Sequence, residues 1–487
     1  MASLLAYAIP AFIIVAFALG LALACILQYR VTAAASPALR LAVVLVVVGV
    51  GALLSVALTT RELDDTKASS TLIYDDVAGG FAASRWFSLY LVLASLVEIA
   101  RGWVADRRRT APDPARPLLW TMLAYYLGTV LVQAAASDQP DFSARSLYLP
   151  ILLAAIYYQR PAGIAPMLGA ARLVILALMA GSLGCIWLRP DFVLHRPDPG
   201  LIPGIDWRLF GLTPHANALG PIALLGMLIE LYSPSRWRML RWLVLSCCAA
   251  VLVLAQSKTT WGTIPLMLVC VWLPLRLART PDSRDPGDHF RRSVLTVVSL
   301  VVVLVLAAAA AAAFDVAGYL ERRVDVATLT GRTQIWDITL RAWRENVLFG
   351  YGAGIWGPER QREFQMFYVG QAHNQVVQTL GESGLVGLAL LLAYLATLLA
   401  TALRSLVASR GLVLMLLMLM LVRCVTEAPM RSEGILSWST FLHGLLLAMA
   451  CHYARQPRRR LAARTDPARA GSASHAGYAA QLTSCAP

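Results

Sequence analysis

Residues 329–388 read LTGRTQIWDITLRAWRENVLFGYGAGIWGPERQREFQMFYVGQAHNQVVQTLGESGLVGL and interrupt a chain that is otherwise mostly hydrophobic. This stretch holds an Arg-bearing amphipathic pattern, a turn with alternating glycines and a His-Asn pair, and another apolar run follows directly. Because functional residues concentrate in polar segments held by a rigid scaffold, so much polar chemistry between two apolar segments indicates a site rather than a linker.

The composition of the whole chain is that of an integral membrane protein. Of the 487 residues, 58% are hydrophobic and 14% are charged, and the mean hydropathy is +0.63, whereas soluble domains carry about 25% charged residues. The net charge of +14 does not indicate nucleic-acid binding, because most Arg residues lie in short loops between apolar runs. The eight Cys form no CxxC motif, so neither a disulfide framework nor a zinc site is expected.

Repeated apolar runs predict an all-α polytopic inner-membrane protein with about 12–13 transmembrane helices and one large periplasmic loop that carries short helices. The run Phe142–Tyr158 has the shortest apolar part and could instead be re-entrant. The candidate spans are Leu5–Leu27, Leu41–Thr59, Phe81–Ala100, Leu118–Ala136, Phe142–Tyr158, Ile164–Leu188, Ala216–Tyr232, Leu240–Gln256, Thr260–Leu275, Val294–Phe314, Leu385–Leu403, Leu406–Val422 and Ile435–Tyr453.

Lys and Arg counts in the short loops set the expected orientation, since basic residues favour the cytoplasmic side. With the Arg-rich tail after Arg455 inside, the other basic loops fall inside too, and the N-terminus and the long polar loop fall outside. This predicts four parts: an N-terminal transmembrane bundle (1–314), a large periplasmic catalytic loop (315–384), C-terminal transmembrane helices (385–453) and a disordered basic cytoplasmic tail (454–487). The first apolar run lacks a basic n-region, so it is interpreted as a retained span and not as a cleavable signal peptide.

Candidate binding residues begin in the first part of the long loop. Thr330 can cap a helix in which Trp336, Leu340 and Trp343 form one apolar stripe, with Arg332 in its first turn. Such a helix could lie on the membrane with its Trp residues among the headgroups and its guanidinium near phosphates. A surface Arg without function remains the alternative.

The LFGYGAGIWG segment predicts a turn in which backbone approaches a ligand closely, but it is not a dinucleotide fingerprint.

His373 is the candidate proton acceptor, because imidazole titrates near neutral pH. Asn374 can orient its ring or cap the following helix, and a purely structural histidine remains open. Other polar residues on the same side form a supporting set: His215, Asn217, and Ser257 and Thr259 beside Lys258. A mixed-charge outer loop holds Arg423, Glu427, Arg431 and Glu433, for which an ion-pair network that braces the site is the favoured interpretation. Lys258 either pairs with an anion such as phosphate or extends its ammonium to the interface.

The acidic pairs Asp64-Asp65 and Asp75-Asp76 lie in the first outside loop. Oxygen ligands there would suit a divalent cation. Solvated acidic residues that keep the loop outside are the favoured interpretation, so no metal ligands are assigned.

The ordered motifs HANALG, QSKTTW, GRTQIW, LFGYGAGIW and AHNQVVQTLGESGLVG resemble the O-antigen polymerase and ligase superfamily, particularly its exopolysaccharide polymerase branch. The similarity covers roughly residues 210–433. It implies a GT-C-like, inverting, metal-independent glycosyltransferase with no cofactor, acting on the periplasmic face. By resemblance, His373 matches the catalytic base and Arg332 an Arg that holds the donor diphosphate. Lys258 stands where many members have a second Arg and lacks its two-pronged geometry.

The resemblance also implies the partners. The donor would be a glycan on undecaprenyl diphosphate and the acceptor another glycan, with membrane lipids around the protein and a chain-length regulator and a flippase of the same pathway nearby. Two alternatives stay open: a ligase that moves finished glycan onto lipid A-core, and a flippase for lipid-linked sugars. A flippase predicts paired helix-breaking repeats, whereas the sequence shows one clear mid-span charge, Arg172.

Overall fold

A computed structural model describes residues 22–59, 61–63, 84–196, 202, 205–272, 327–366, 369–432 and 434–456. The described chain is almost entirely helical, with a single two-residue strand pair, Leu194–His195 with Arg208–Leu209, in antiparallel register. The prediction of an all-α polytopic membrane protein is confirmed. Acidic residues 64, 65, 75 and 76 and the predicted span Val294–Phe314 lie outside the described residues.

The helices are numbered in chain order, after a helical segment at residues 22–32. They are α1 (Pro37–Ala57), α2 (Ser84–Arg107), α3 (Arg116–Ala135), α4 (Tyr148–Gln159), α5 (Ala165–Leu188), α6 (Pro190–Val193), α7 (Ala216–Tyr232), α8 (Arg238–Leu254), α9 (Lys258–Met267), α10 (Ala327–Glu345), α11 (Pro358–Glu363), α12 (Gln375–Arg404), α13 (Leu412–Thr426) and α14 (Trp438–Arg455). Short 3₁₀ turns cover Ala144–Leu147 and Ala353–Trp356, and a π-helical turn covers Leu268–Trp272.

Five of the described helices, namely α1, α2, α3, α5 and α12, are long and apolar enough to cross a membrane, and α7 and α13 are shorter apolar helices. Helix α7 coincides with its predicted span, and α3 and α5 agree with theirs within two residues. By contrast, α12 begins ten residues before its predicted span and α2 ends seven residues after its own. The total of 12–13 spans stays a prediction.

Small residues let these helices approach closely, as is usual where lipid supplies no drive for helix association. A methyl group at Gly49 of α1 would meet Val174 of α5 at 2.4 Å, and one at Gly102 of α2 would meet Tyr158 of α4 at 2.4 Å. The bundle therefore depends on close packing at specific glycines.

Polar contacts concentrate at two opposite ends of the bundle. At one end, Asp113 binds Arg160 at 2.7 Å and Arg455 at 2.9 Å. At the other end, Asn346 donates to the carbonyl of Ala136 at 3.1 Å, which ties the loop after α3 to the loop after α10. Loops predicted to be cytoplasmic thus contact one another at one end, and loops predicted to be periplasmic contact one another at the other end.

These contacts bear on the uncertain fifth span. Helix α4 has 12 residues and, at about 1.5 Å per residue, is short for a membrane crossing. It nevertheless follows the loop joined to Asn346 and ends beside Arg160, which is bound to Asp113 at the opposite end. The segment 142–160 therefore runs from one end of the bundle to the other, as a crossing segment would.

Candidate active site

His373 lies in the turn that leads into α12. Its φ of 50° is in the left-handed region, which is uncommon for a residue other than glycine and is often found at functional sites. The next residue, Asn374, caps α12: its side-chain oxygen accepts hydrogen bonds from the backbone of Val376 at 2.9 Å and Val377 at 3.1 Å. Of the two roles foreseen for Asn374, the structure shows helix capping.

Glu427, the residue that ends α13, holds the imidazole of His373. The distance from His373 Nδ1 to Glu427 Oε2 is 2.8 Å. Hydrogen bonding from His373 and nearby positive charge outweigh desolvation and lower the pKa of Glu427 to about 2, so the carboxylate is ionised and accepts the proton of Nδ1–H. In that tautomer, Nε2 carries the lone pair and can take a proton from a substrate.

Gln371 supports the same carboxylate. Its Nε2 donates to Glu427 Oε2 at 3.0 Å, and its Oε1 accepts from the backbone N–H of Ala428 at 3.1 Å. The turn before α12 and the loop after α13 are therefore joined by side chains on both sides of His373.

Arg332 approaches the other oxygen of Glu427, with Nη2 3.6 Å from Oε1. Its side chain is 21% exposed, so the guanidinium is both tethered and open to a ligand. His373 and Arg332 thus lie on the two oxygens of one carboxylate, which brings the predicted base and the predicted diphosphate-binding group together.

Helix α10 presents Arg332 through contacts that differ from the predicted ones. The helix begins at Ala327, before the cap expected at Thr330. Its fully buried stripe is Ile335, Thr339 and Ala342, one position from the predicted Trp stripe. The indole N–H of Trp336 donates to the carbonyl of Ala372 at 2.8 Å, so Trp336 anchors α10 to the turn that carries His373.

A second polar group surrounds His215, the N-cap residue of α7. Its Nδ1 accepts the backbone N–H of Asn217 at 3.1 Å, so neutral His215 presents Nε2–H as a donor. The residue is exposed, but its ring also packs against Phe210, with the ring centroids 4.6 Å apart, so the surrounding protein removes part of its water. This desolvation lowers the pKa of His215 to about 4, despite the attraction of Glu427. The charge of Glu427 raises the pKa of His215 and those of His373 and Arg332 lower it, so His215 lies within electrostatic reach of the first group.

Asn217 joins this group to the start of α9. Its Oδ1 accepts from Arg208 at 3.3 Å and from the Ser257 hydroxyl at 3.4 Å, and the hydroxyls of Ser257 and Thr259 are 3.3 Å apart. Lys258, the first residue of α9, is exposed and makes no hydrogen bond or ion pair within the described part of the chain. No described contact links Lys258 to His373 or Arg332.

The turn with alternating glycines, which was predicted to approach a ligand, packs closely against other parts of the chain. Gly350 has a φ of 76°, and a methyl group there would meet the backbone of Gly384 at 2.7 Å. Gly384 interrupts α12 with a φ of 58°, and the N–H of Leu385 donates to the carbonyl of Val347 at 3.0 Å. The glycines therefore build a kink that seats the first turns of α12 on the loop after α10.

Sequence reasoning missed Arg208, Gln371 and the tight contact of Glu427 with His373. Arg208 lies in a short strand, and its proximity to Asn217 depends on the fold. Gln371 directly precedes the AHNQ segment, and this amide two residues before His373 was a usable signal. Glu427 was predicted to brace the site, whereas the structure brings it into direct contact with both central residues.

The described residues contain no group of three or more His, Cys, Asp or Glu side chains that could hold a metal ion.

Residues 243–392 match the model of a family described as O-antigen ligase. The match confirms the O-antigen polymerase and ligase superfamily that the motifs indicated, and its range includes Lys258, Arg332 and His373. The exopolysaccharide branch is not distinguished by it. No curated protein matches this chain.

Proposed function

We propose that the protein is a glycosyltransferase that polymerises oligosaccharide repeat units carried on a polyprenyl diphosphate, at the periplasmic face of the inner membrane. The single observation that carries the proposal is the carboxylate of Glu427, which contacts His373 and Arg332 through its two oxygens, and both of these partners lie in residues 243–392, which match the O-antigen ligase family. One group can accept a proton and the adjacent group can bind a phosphate, as such a transfer requires.

The reaction needs one proton transfer and one displacement. Nε2 of His373 takes the proton of the acceptor hydroxyl while its oxygen forms a bond to the anomeric carbon. The bond between that carbon and the diphosphate oxygen breaks, and the diphosphate leaves with the electron pair. Attack opposite to the leaving group inverts the anomeric centre.

Two charged side chains stabilise this transition state. Arg332 would stabilise the charge that develops on the diphosphate. Glu427 keeps the Nδ1–H of His373 oriented and stabilises the imidazolium that forms, as carboxylates do beside catalytic histidines. The leaving group is already good, so the proposed reaction is metal-independent.

A ligase is the second candidate, because the matched family is described as O-antigen ligase. Both functions use the same donor and the same chemistry at His373, and they differ in the acceptor. The HANALG and QSKTTW forms favour the polymerase.

Reconstitution of the full chain in proteoliposomes separates the candidates. Purified protein is given polyprenyl-diphosphate-linked single repeats, alone or with lipid A-core, and the products are resolved by size. A polymerase makes a ladder of lipid-linked oligomers from the repeats alone. A ligase makes product only when lipid A-core is present, and movement of repeats across the bilayer without a new glycosidic bond would contradict both enzymatic proposals.

A further inference from the structure

Arg423 is a further arginine at the site end of the bundle, and it makes no ion pair within the described part of the chain, unlike the predicted bracing network. It lies in the last turn of α13, and only 6% of the residue is exposed. A guanidinium remains charged in proteins and carries five N–H donors, so burying one is costly unless those donors meet acceptors.

The donors of Arg423 are mostly unmatched. Nη2 donates to the hydroxyl of Ser439 at 3.1 Å. Nε and Nη1 are buried, and neither has an acceptor in the part of the chain that the structure describes. Trp438, beside Ser439 at the start of α14, likewise has a buried indole N–H without an acceptor among the described residues.

Arg61 is a buried arginine with a structural role, and its hydrogen bonds can be compared with those of Arg423. Its Nε donates to the carbonyl of Phe192 at 2.9 Å, its Nη1 to that of Thr213 at 2.6 Å and its Nη2 to that of Gly211. All three nitrogens of this guanidinium have backbone acceptors. Arg423 carries the same guanidinium, but its only acceptor among the described residues is the hydroxyl of Ser439.

Glu427 does not satisfy Arg423, although it lies four residues further along and its charge acts on the guanidinium. The oxygens of Glu427 are engaged by His373 and Gln371 on one side and by Arg332 on the other. The unmatched donors of Arg423 are therefore left for an acceptor that the described protein does not provide, next to the carboxylate at the centre of the site.

We propose that Arg423 binds a phosphate-type oxyanion, and that this anion is the diphosphate of the lipid-linked donor. Arg423 would then supply the two-pronged contact that Lys258 lacks. The inference rests on the proposed function for the identity of the anion, whereas the binding of an oxyanion at Arg423 does not depend on catalysis.

The test compares Arg423→Met with wild type and with Arg61→Met, using the purified full chain in nanodiscs. The probes are farnesyl diphosphate, inorganic pyrophosphate and, as the lipid arm, nanodiscs of phosphatidylglycerol instead of phosphatidylcholine. Melting temperatures and diphosphate dissociation constants are measured. Arg423→Met is expected to melt at or above the wild-type temperature without ligand, because it removes an unpaired buried charge. It should bind farnesyl diphosphate at least about tenfold more weakly, since a charge-assisted bond is lost.

Arg61→Met is the matched control, and it should lower the melting temperature without ligand because three carbonyls lose their donor. Arg423→Lys should fall between wild type and Arg423→Met in diphosphate affinity. Three results overturn the proposal: Arg423→Met fails to fold or melts well below wild type, it binds farnesyl diphosphate as wild type does, or phosphatidylglycerol alone produces the Arg423-dependent stabilisation. Failure of the proposed function has a different signature, namely Arg423-dependent diphosphate binding in a wild-type protein that forms no glycosidic bond.

Discussion

At the residue scale, the site depends on a carboxylate that serves two partners. Glu427 Oε2 accepts from His373 and Gln371, while Oε1 faces Arg332. A histidine without this partner would be free to rotate and to exchange tautomers, and would lose the stabilisation of its protonated form. The role of Glu427 is therefore to position His373, and its loss is expected to affect turnover more than donor binding.

Replacing Glu427 with Gln tests this role. The amide keeps the shape and removes the charge, so the rate of glycan transfer should fall by at least about 10²-fold, as for other carboxylates that orient a functional histidine. The diphosphate affinity should change much less. Glu363→Gln, at an exposed glutamate paired with Arg360, should leave the rate unchanged. Near wild-type transfer by the Glu427 variant would remove the carboxylate from the mechanism.

His215 makes stability depend on pH. Its pKa is about 4 in the folded chain against 6.5 ordinarily, because the surrounding protein disfavours the charged ring. Between those values the unfolded chain binds more protons, so stability decreases as pH falls from 6.5 towards 4. His215→Asn keeps an N-cap acceptor and removes the titration.

Melting temperatures measured from pH 7 to pH 4 should therefore fall less for His215→Asn than for wild type. Parallel curves for the two proteins would show that His215 is not held neutral by the fold. The stabilising effect of the Glu427 carboxylate is complete above its ordinary pKa of 4.5 and is lost progressively between 4.5 and about 2, so it affects only the acid end of this window and does so equally in both proteins.

At the element scale, the kink in α12 seats the helical turns that follow His373 on the loop after α10. Gly384 has a positive φ, and a methyl group there would lie 2.4 Å from the backbone of Leu348. Sequence reasoning recognised close helix packing at this glycine. It did not predict the kink, because the kink depends on hydrogen bonds from Leu385 and Val386 to a segment more than thirty residues earlier.

Gly384→Ala should therefore damage the fold at this junction. Gly384 has φ 58° and ψ −156°, a region occupied essentially only by glycine that costs other residues about 1–3 kcal/mol, and the overlap with Leu348 adds to this cost. We expect a lower melting temperature and reduced transfer. Gly354→Ala is the matched control in the neighbouring turn, where a methyl group meets nothing within 4 Å. Equal melting temperatures for the two variants would contradict the kink as a structural requirement.

At the scale of the whole molecule, one end of the bundle holds the chemistry and the other holds an ion-pair network. Apolar runs were enough to predict the main helices, since burial and lipid contact both select apolar residues. The motifs were enough to single out His373 and Arg332. The sequence could not show that Glu427 joins them, because His373 and Glu427 come from different loops and meet only when α12 packs beside α13.

Asp113 tests the separation of the two ends. It binds Arg160, Arg455 and the Tyr157 hydroxyl. These contacts, chiefly the hydrogen bond from Arg455, outweigh desolvation and lower its pKa to about 2. Asp113→Asn should cost about 1.5–3 kcal/mol of stability, because charge-assisted hydrogen bonds are lost from a part-buried network. The transfer rate per folded molecule should stay near wild type.

Asp337→Asn, at an exposed pair with Arg341, should change stability by less than about 1 kcal/mol. Thermal unfolding and transfer assays on the same preparations measure both effects. A large loss of transfer in folded Asp113→Asn would mean that the two ends are coupled.

The most direct test of the central claim is the rate of glycosidic bond formation by reconstituted His373→Ala with lipid-linked repeats, measured beside its affinity for farnesyl diphosphate. The account predicts a loss of transfer of at least about 10²-fold, the contribution expected of a general base, with diphosphate affinity close to wild type because Arg332 remains. A His373→Ala protein that transfers glycan at the wild-type rate would contradict it.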